Sequence, residues 1–447
     1  MFEREKDCES VEFIELVAEA KKKDAQLEVF GATSHKYQFN PVATMEEVMA
    51  FEEKYGLKLP EAYVAFLTKV GNGGAGPYYG LYSLKQVESY NSEWLHQDAS
   101  RTPMIDKSLT MEKWNAAISD DDELLDEDAD EQWDEFMAGL YAGMLIIGTQ
   151  GCTYDNVLMC KGSEAGKIVY IDWNLEKNYP PFLTGMTFEE WYGRFFEEII
   201  AGRSVRGYGY TRLGSEEELL EEYKKLENMQ SQDLGIAGDL QPEEVLKQKQ
   251  DILSGFYRFA TVSGETLDFI KNLQERELDA IRLNLLLRWD KVQGMSLFEQ
   301  FLMGENPEAA VSVARTIDAE KMNQYYDRMV ELLYEDNHCN KNTILFYIDD
   351  CDCKKAEAIV DFAMDEAMDE EVRKIAIYIM GHCKDAERYL DCFIGYMRGE
   401  SYWLAHTALQ AMIRSGIKTP ALMETYLWMK EKYKHDSTMR SNLSQVV

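Results

Sequence analysis

The sequence predicts an α+β N-terminal domain, a small antiparallel sheet flanked by helices, followed by an all-α helical-repeat solenoid. Three observations carry this expectation. Short apolar runs separated by glycine turns cluster between residues 144 and 173, as the strands of a meander do. Helical patterns flank them on both sides, which in one domain is the α+β layering. Beyond residue 243 the pattern is helical throughout and recurs about every 31 residues. Such a period marks stacked helix pairs that bury a core only against their neighbours.

The elements follow in order. Residues 10–30 read as an amphipathic helix ending in Lys21, Lys22 and Lys23. A second helix is expected from 42 to 55: Thr44 caps it, Glu47 follows as in a capping box, and Val48, Phe51 and Tyr55 share a face. Leu59 and Pro60 open the next helix, because proline suits a first turn whose amides have no partner. Tyr63, Phe66, Leu67 and Val70 then recur at helical spacing and make one apolar face. Gly71, Asn72, Gly73 and Gly74 stop this helix, since glycine and asparagine accept the left-handed conformation of helix ends.

A strand-like run at 78–84 follows, then an insertion near 87–142 rich in tryptophan, serine and acids. Residues 144–148, 156–160 and 167–173 read as three strands joined by turns. Pro180, Pro181 and Gly185 interrupt the chain. Thr187 caps a helix whose face is Trp191, Phe195, Phe196 and Ile199 and which ends near Gly202.

Four segments, LPEAYVAFL…NGG, GTQGCTYDNVLMC, KIVYIDW and TFEEWYGRFFEEI, together resemble the SUKH superfamily in order and spacing. That superfamily includes fungal cell-wall-assembly regulators and many bacterial immunity proteins. The resemblance covers residues 40–202, with Leu59, Pro60, Asn72, Gly73 and Gly74 as its fold motif. It implies a non-catalytic protein that binds a toxin domain, often a nuclease, in the cytoplasm. The insertion is longer than the family's usual loop.

Residues 203–242 read as a connector, with an Arg-Gly-Tyr-Gly-Tyr stretch, a charged helix at 215–229 and a polar run. Helix-turn-helix units then begin near Glu244, Glu275, Asn306, His338, Asp369 and Glu400. VRKIAIYIMG, at 372–381, resembles the first helix of a short HEAT-like repeat. The expected organisation is a SUKH-like domain at 1–202, the connector at 203–242, HEAT-like repeats at 243–435 and a frayed tail at 436–447.

Charge narrows the function classes. The 447 residues carry 47 basic and 81 acidic side chains, a formal net charge of −34. Residues 1–200 hold 17 basic and 38 acidic side chains, and the remainder 30 and 43. Both parts would be repelled by nucleic acid and by anionic membrane, where Lys and Arg supply the affinity. A basic protein partner fits better. The N-terminus has no apolar signal core, and no run approaches the roughly 18 apolar residues that cross a bilayer. Eight cysteines spread over this length do not form a disulfide framework. The cytoplasm, with reduced thiols, is the expected compartment.

The sequence is poor in catalytic groups. It has six histidines and no nucleophile elbow, phosphate loop or histidine-pair metalloprotease motif. Gly71–Gly74 lacks the Lys-Ser/Thr of a phosphate loop and follows a helix, so it reads as a helix stop. Cys351 and Cys353 occupy the end of one repeat's first helix, and His382 and Cys383 the equivalent end of the next. They can be read as zinc ligands, or as small apolar residues of a helical stack. Without a CxxC pair no metal is expected.

The binding surface is sought around the insertion. Residues 120–135 hold eleven carboxylates and no basic residue, among them Asp120, Asp121, Asp122, Asp126 and Asp128. The run is either a solvated loop or a surface that steers a basic partner, and it lacks the glycine of a calcium-binding loop. Trp114 and Trp133 flank it, as interface anchors or as residues packing the insertion onto the domain. Alternation sets Tyr78, Gly80 and Tyr82 on one face and Tyr79 and Leu81 on the other, one for the core and one for an aromatic contact.

The resulting reading is no enzyme and no cofactor, but an immunity protein that neutralises a basic, nuclease-type toxin. The alternative is a scaffold or regulatory adaptor that binds an endogenous protein through its helical repeats. Oligomeric state is left open.

Overall fold

The computed structural model describes residues 2–92, 94–95, 103–118, 129–232 and 242–446. The chain forms two compact units, Met1–Val262 and Ser263–Val447.

In the first unit, helices α1 (Phe2–Lys23), α2 (Ala32–His35), α3 (Met45–Tyr55), α4 (Glu61–Lys69), α5 (Leu84–Tyr90), α6 (Met111–Ala117) and α7 (Ala129–Leu140) precede a sheet. Its strands are β1 (Met144–Gly151), β2 (Tyr154–Met159), β3 (Lys167–Asp172) and β4 (Phe182–Thr187), antiparallel and in chain order. Helices α8 (Phe188–Ile200), α9 (Glu216–Gln232) and α10 (Pro242–Gly255) follow.

Three strands lie where the apolar runs place them. The fourth was hidden by Pro180, Pro181 and Gly185. These are tolerated because β4 is at the sheet's end, with the prolines before it and an irregular register where Gly185 falls.

The capping box forms as expected: Thr44 Oγ1 accepts from the Glu47 amide at 3.2 Å, and Glu47 Oε2 from the Thr44 amide at 2.8 Å. Tyr63, Phe66, Leu67 and Val70 are all buried. Gly74 has φ 106° and abuts another segment; a Cβ there would lie 2.5 Å from the Gln38 carbonyl oxygen. Only glycine fits. The run at 78–84 is not a strand: Tyr78 turns at φ 57°, and Leu81 alone bridges Gly74 on one side and Gly148 on the other.

The buried runs of β1, β2 and β3 are apolar because both sheet faces are covered there. Leu145, Ile147, Leu158, Ile168 and Tyr170 share a core with Tyr63, Phe66, Phe188 and Tyr192. Met144, Ile146, Val157, Met159, Val169 and Ile171 pack with Ile105, Trp114, Met137, Leu140 and Tyr141. The latter five belong to the insertion. Its described parts are therefore a second layer of the fold.

A buried ion group ties the segment after α10 to α8. Glu198, 4% exposed, pairs with Arg203 at 3.0 Å and with Arg258, itself 3% exposed.

The second unit is helical: α11 (Gly264–Lys271), α12 (Asp279–Trp289), α13 (Lys291–Gln300), α14 (Pro307–Val313), α15 (Ala319–Met322), α16 (Tyr326–Tyr334), α17 (Lys341–Asp350), α18 (Val360–Met364), α19 (Glu370–Gly381), α20 (Leu390–Arg398), α21 (Tyr402–Ser415), α22 (Pro420–Lys432) and α23 (Ser437–Leu443). Helices α12, α14, α17, α19 and α21 touch in succession. The last four each start at a capping side chain: Asn306, Asn340, Asp369 and Ser401 accept from amides of the first turn. The tail expected to fray instead forms α23, capped by Asp436, with Met439 and Leu443 buried. Two apolar residues at helical spacing outweigh the polar composition around them.

Candidate protein-binding cleft

The most chemically distinctive surface among the described residues is an aromatic cleft of about 640 Å³ beside β3 and β4. Tyr170 on β3 is its buried floor. The Tyr170 hydroxyl accepts from Trp191 Nε1 at 2.7 Å and donates to the Tyr208 carbonyl at 3.0 Å. Phe182 pairs with Tyr170 across the β3–β4 ladder, and the rings stack with centroids 6.3 Å apart. Tyr210 packs against both, 4.9 Å from each.

The Gly-Tyr-Gly-Tyr stretch explains this placement. Tyr208 turns into the core and donates to the Trp191 carbonyl at 2.7 Å, while Tyr210 turns out. Gly209 between them has φ 85°, and a Cβ there would lie 2.5 Å from the Tyr170 hydroxyl oxygen.

Tyr179 and Tyr154 complete the lining, with 68% and 41% of their surface exposed. Tyr179 sits on the β3–β4 connection, which the insertion holds in place. Trp114 Nε1 donates to the Glu176 carbonyl at 3.1 Å. Asn115 donates to the Asn178 side chain at 2.8 Å and accepts from the Asn178 amide at 2.7 Å.

The rim is acidic. Asp172 lies beside Tyr154 and, by hydrogen bonding, holds that phenol above its ordinary pKa. Hydrogen bonds from Ser108 hold the Asp106 carboxyl below the usual range. Lys107 also lines the cleft, and its ammonium lies 3.8 Å from the buried Glu164 carboxylate. Gln150, anchored on Asn156 at 3.1 Å, and Tyr154 also border a second cavity of about 980 Å³. There Phe30 and Tyr79 meet edge to face at 5.2 Å.

The residues expected at a partner surface are dispersed. Tyr79 is exposed beside this second cavity. Tyr78 is buried, its hydroxyl donating to the Tyr208 carbonyl at 2.6 Å, because the turn at φ 57° points the ring inward. Trp114 is fully buried and packs the insertion onto the sheet. Trp133 lies on α7, and Asp120, Asp121, Asp122, Asp126 and Asp128 lie outside the described residues.

The fold motif sits in the core layer. Leu59 is buried and Pro60 is the N-cap of α4. Asn72 Oδ1 accepts from the Leu84 amide at 2.7 Å, and its carbonyl from Asn40 Nδ2 at 2.9 Å, joining three segments.

Cys351 and Cys383 are buried, and burial pushes both thiols up to about 12. Cys353 is exposed, and His382 Nδ1 lies 3.3 Å from Asp349. Among the described residues no group of three or more His, Cys, Asp or Glu is arranged to hold a metal. No described helix is long and apolar enough to cross a membrane.

Tyr154, Tyr179, Phe182 and Tyr210 escaped the sequence reading. Their signal was aromatic residues in turn-forming contexts, beside Pro180-Pro181 and next to the turns at Gly151 and Gly209.

No curated protein and no solved structure matches the chain. Residues 42–194, spanning the capped α3, the glycine turn, the sheet and the first half of α8, match the SMI1 / KNR4 family (SUKH-1), as the resemblance in those segments led one to expect.

Proposed function

We propose that this chain is a non-catalytic binding protein of the immunity type, which neutralises a basic, nuclease-type toxin domain in the cytoplasm. The observation that carries the proposal is an open aromatic cleft with an acidic rim in a chain of net charge −34. The SUKH-1 match over 42–194 supports the same reading. A nuclease surface that grips phosphate is basic, so an acidic protein can occlude it and is drawn to it from a distance. Exposed aromatic rings supply the short-range energy, as they do at many interface centres.

The test uses the full chain and basic nuclease-type toxin domains, any encoded beside its gene first. Stoichiometric addition is expected to abolish nuclease activity, with association slowing as salt rises from about 50 to 500 mM. Undiminished nuclease activity with no complex formed overturns the proposal. An association rate unaffected by salt overturns its electrostatic part.

One observation favours a regulatory adaptor as the second reading. Trp403, Leu427 and Trp428 stand exposed on α21 and α22 of the helical unit, and an endogenous protein held by the helical repeats would cover them. That reading expects no neutralisation, and loss of the endogenous complex in a Trp403→Ala, Trp428→Ala variant.

A further inference from the structure

We infer that the aromatic cleft is a receptor for a cationic side chain: it takes an arginine or lysine of the basic partner, laid over tyrosine faces and paired with Asp172. This rests on the reading of a basic protein partner given above, and it names the place where that partner is met.

Ring exposure is the first support. Tyr154, Tyr179, Phe182 and Tyr210 keep 41, 68, 38 and 37% of their surface accessible while lining one concavity. A ring face attracts a cation through its quadrupole, and several faces around one space make a cage that selects cations over neutral apolar groups. Rim charge is the second support. Asp172 and Asp106 stand at the cleft, so a guanidinium or ammonium entering it also meets carboxylates. The lining cation, Lys107, has its ammonium 3.8 Å from Glu164, outside the ring cluster, a carboxylate that it shares with Lys167 at 2.7 Å.

Preorganisation is the third support. Phe182 and Tyr210 are locked against the buried Tyr170. Gly209 lets the backbone run close against the Tyr170 ring, where a Cβ would lie 2.5 Å from its hydroxyl oxygen, and the loop bearing Tyr179 is held by Trp114 and Asn115. The cleft is ready-made, so little ordering is needed on binding.

The experiment titrates the full-length protein with tetra-arginine amide and with tetra-citrulline amide, following tyrosine and tryptophan fluorescence. Citrulline keeps the shape of arginine and removes its charge. Saturable binding is expected for the arginine peptide and not for the citrulline peptide. Tyr179→Leu, which keeps an apolar side chain without a ring quadrupole, is expected to weaken binding roughly three- to fivefold, while Tyr179→Trp retains it. Asp172→Asn keeps the acceptor for the Asn174 amide and is expected to weaken binding roughly fivefold. Equal binding of both peptides, or unchanged affinity in Tyr179→Leu and Asp172→Asn, overturns the inference.

The same variants separate this inference from the immunity reading. If the wild type neutralises the nuclease and Tyr179→Leu with Asp172→Asn neutralises it equally well, the cleft is not the receptor although the function stands. If the wild type fails to neutralise but binds tetra-arginine through Tyr179 and Asp172, the cleft stands and the immunity reading falls.

Discussion

His35 and Asp155 are two packed titratable side chains whose effects on stability run in opposite directions with pH. His35 is 8% exposed, and its Nδ1 accepts from the Tyr37 amide at 3.0 Å, so the neutral ring carries its proton on Nε2. Burial lowers its pKa from 6.5 to about 4, against a smaller pull from Asp24. The unfolded chain therefore binds the proton more readily, and stability falls as pH drops from 6.5 towards 4. The loss at the low end is about 3 kcal/mol. His35→Asn, which preserves an acceptor, is expected to flatten this slope in urea unfolding at pH 7 and pH 4.5.

Asp155 shows the reverse. Burial raises its carboxyl from 3.8 to about 7, and Tyr141, donating at 3.3 Å, only partly opposes this. Its contribution is complete below pH 3.8 and is lost as pH rises through 7. Asp155→Asn should leave stability unchanged at pH 4 and increase it at pH 8, measured by the same unfolding curves.

At the scale of elements, the proline-opened helix and its glycine stop are best understood through Asn72. It accepts the Leu84 amide that would otherwise be unpaired at the start of α5, and its carbonyl holds Asn40. Replacing Asn72 by Ala removes that acceptor and should cost about 1–2 kcal/mol in chemical denaturation. The periodicities that define α3, α4, α8 and the capped helices of the second unit were legible because each depends on neighbours within a few residues. The strand expected at 78–84 was not, because Tyr78 adopts a positive φ to place its hydroxyl on Tyr208, 130 residues away in sequence. Strand β4 was hidden for a related reason: its prolines and glycine are acceptable only at the sheet's end, a position no local pattern reveals.

At the scale of the molecule, each unit has its own core. One apolar cluster fills the second unit, and two others cover the two faces of the sheet in the first. Heat should therefore unfold the chain in separable steps. Arg258→Ala leaves Glu198 buried beside Arg203 alone and is expected to lower the first unit's transition by several degrees while the second stays in place, as calorimetry would show. A single transition, or equal shifts of both, would contradict independent cores.

The sequence by itself determined the fold class, the capped starts of α3, α8 and the helices beginning after Asn306 and Asp369, three of the four strands and the acidic character of the chain. These follow from side-chain period, capping chemistry and composition, which act over a few residues or need no geometry. Only the tertiary structure decided which aromatic residues are floor, wall or filler. Trp114 is filler because the insertion folds back over a sheet whose second face needs covering. Tyr154, Tyr179, Phe182 and Tyr210 form one cleft because β2, the β3–β4 connection, β4 and the Gly-Tyr-Gly-Tyr turn converge from positions up to 56 residues apart. Exposure is a property of what packs against a ring, and that partner is set by chain topology rather than by sequence neighbours.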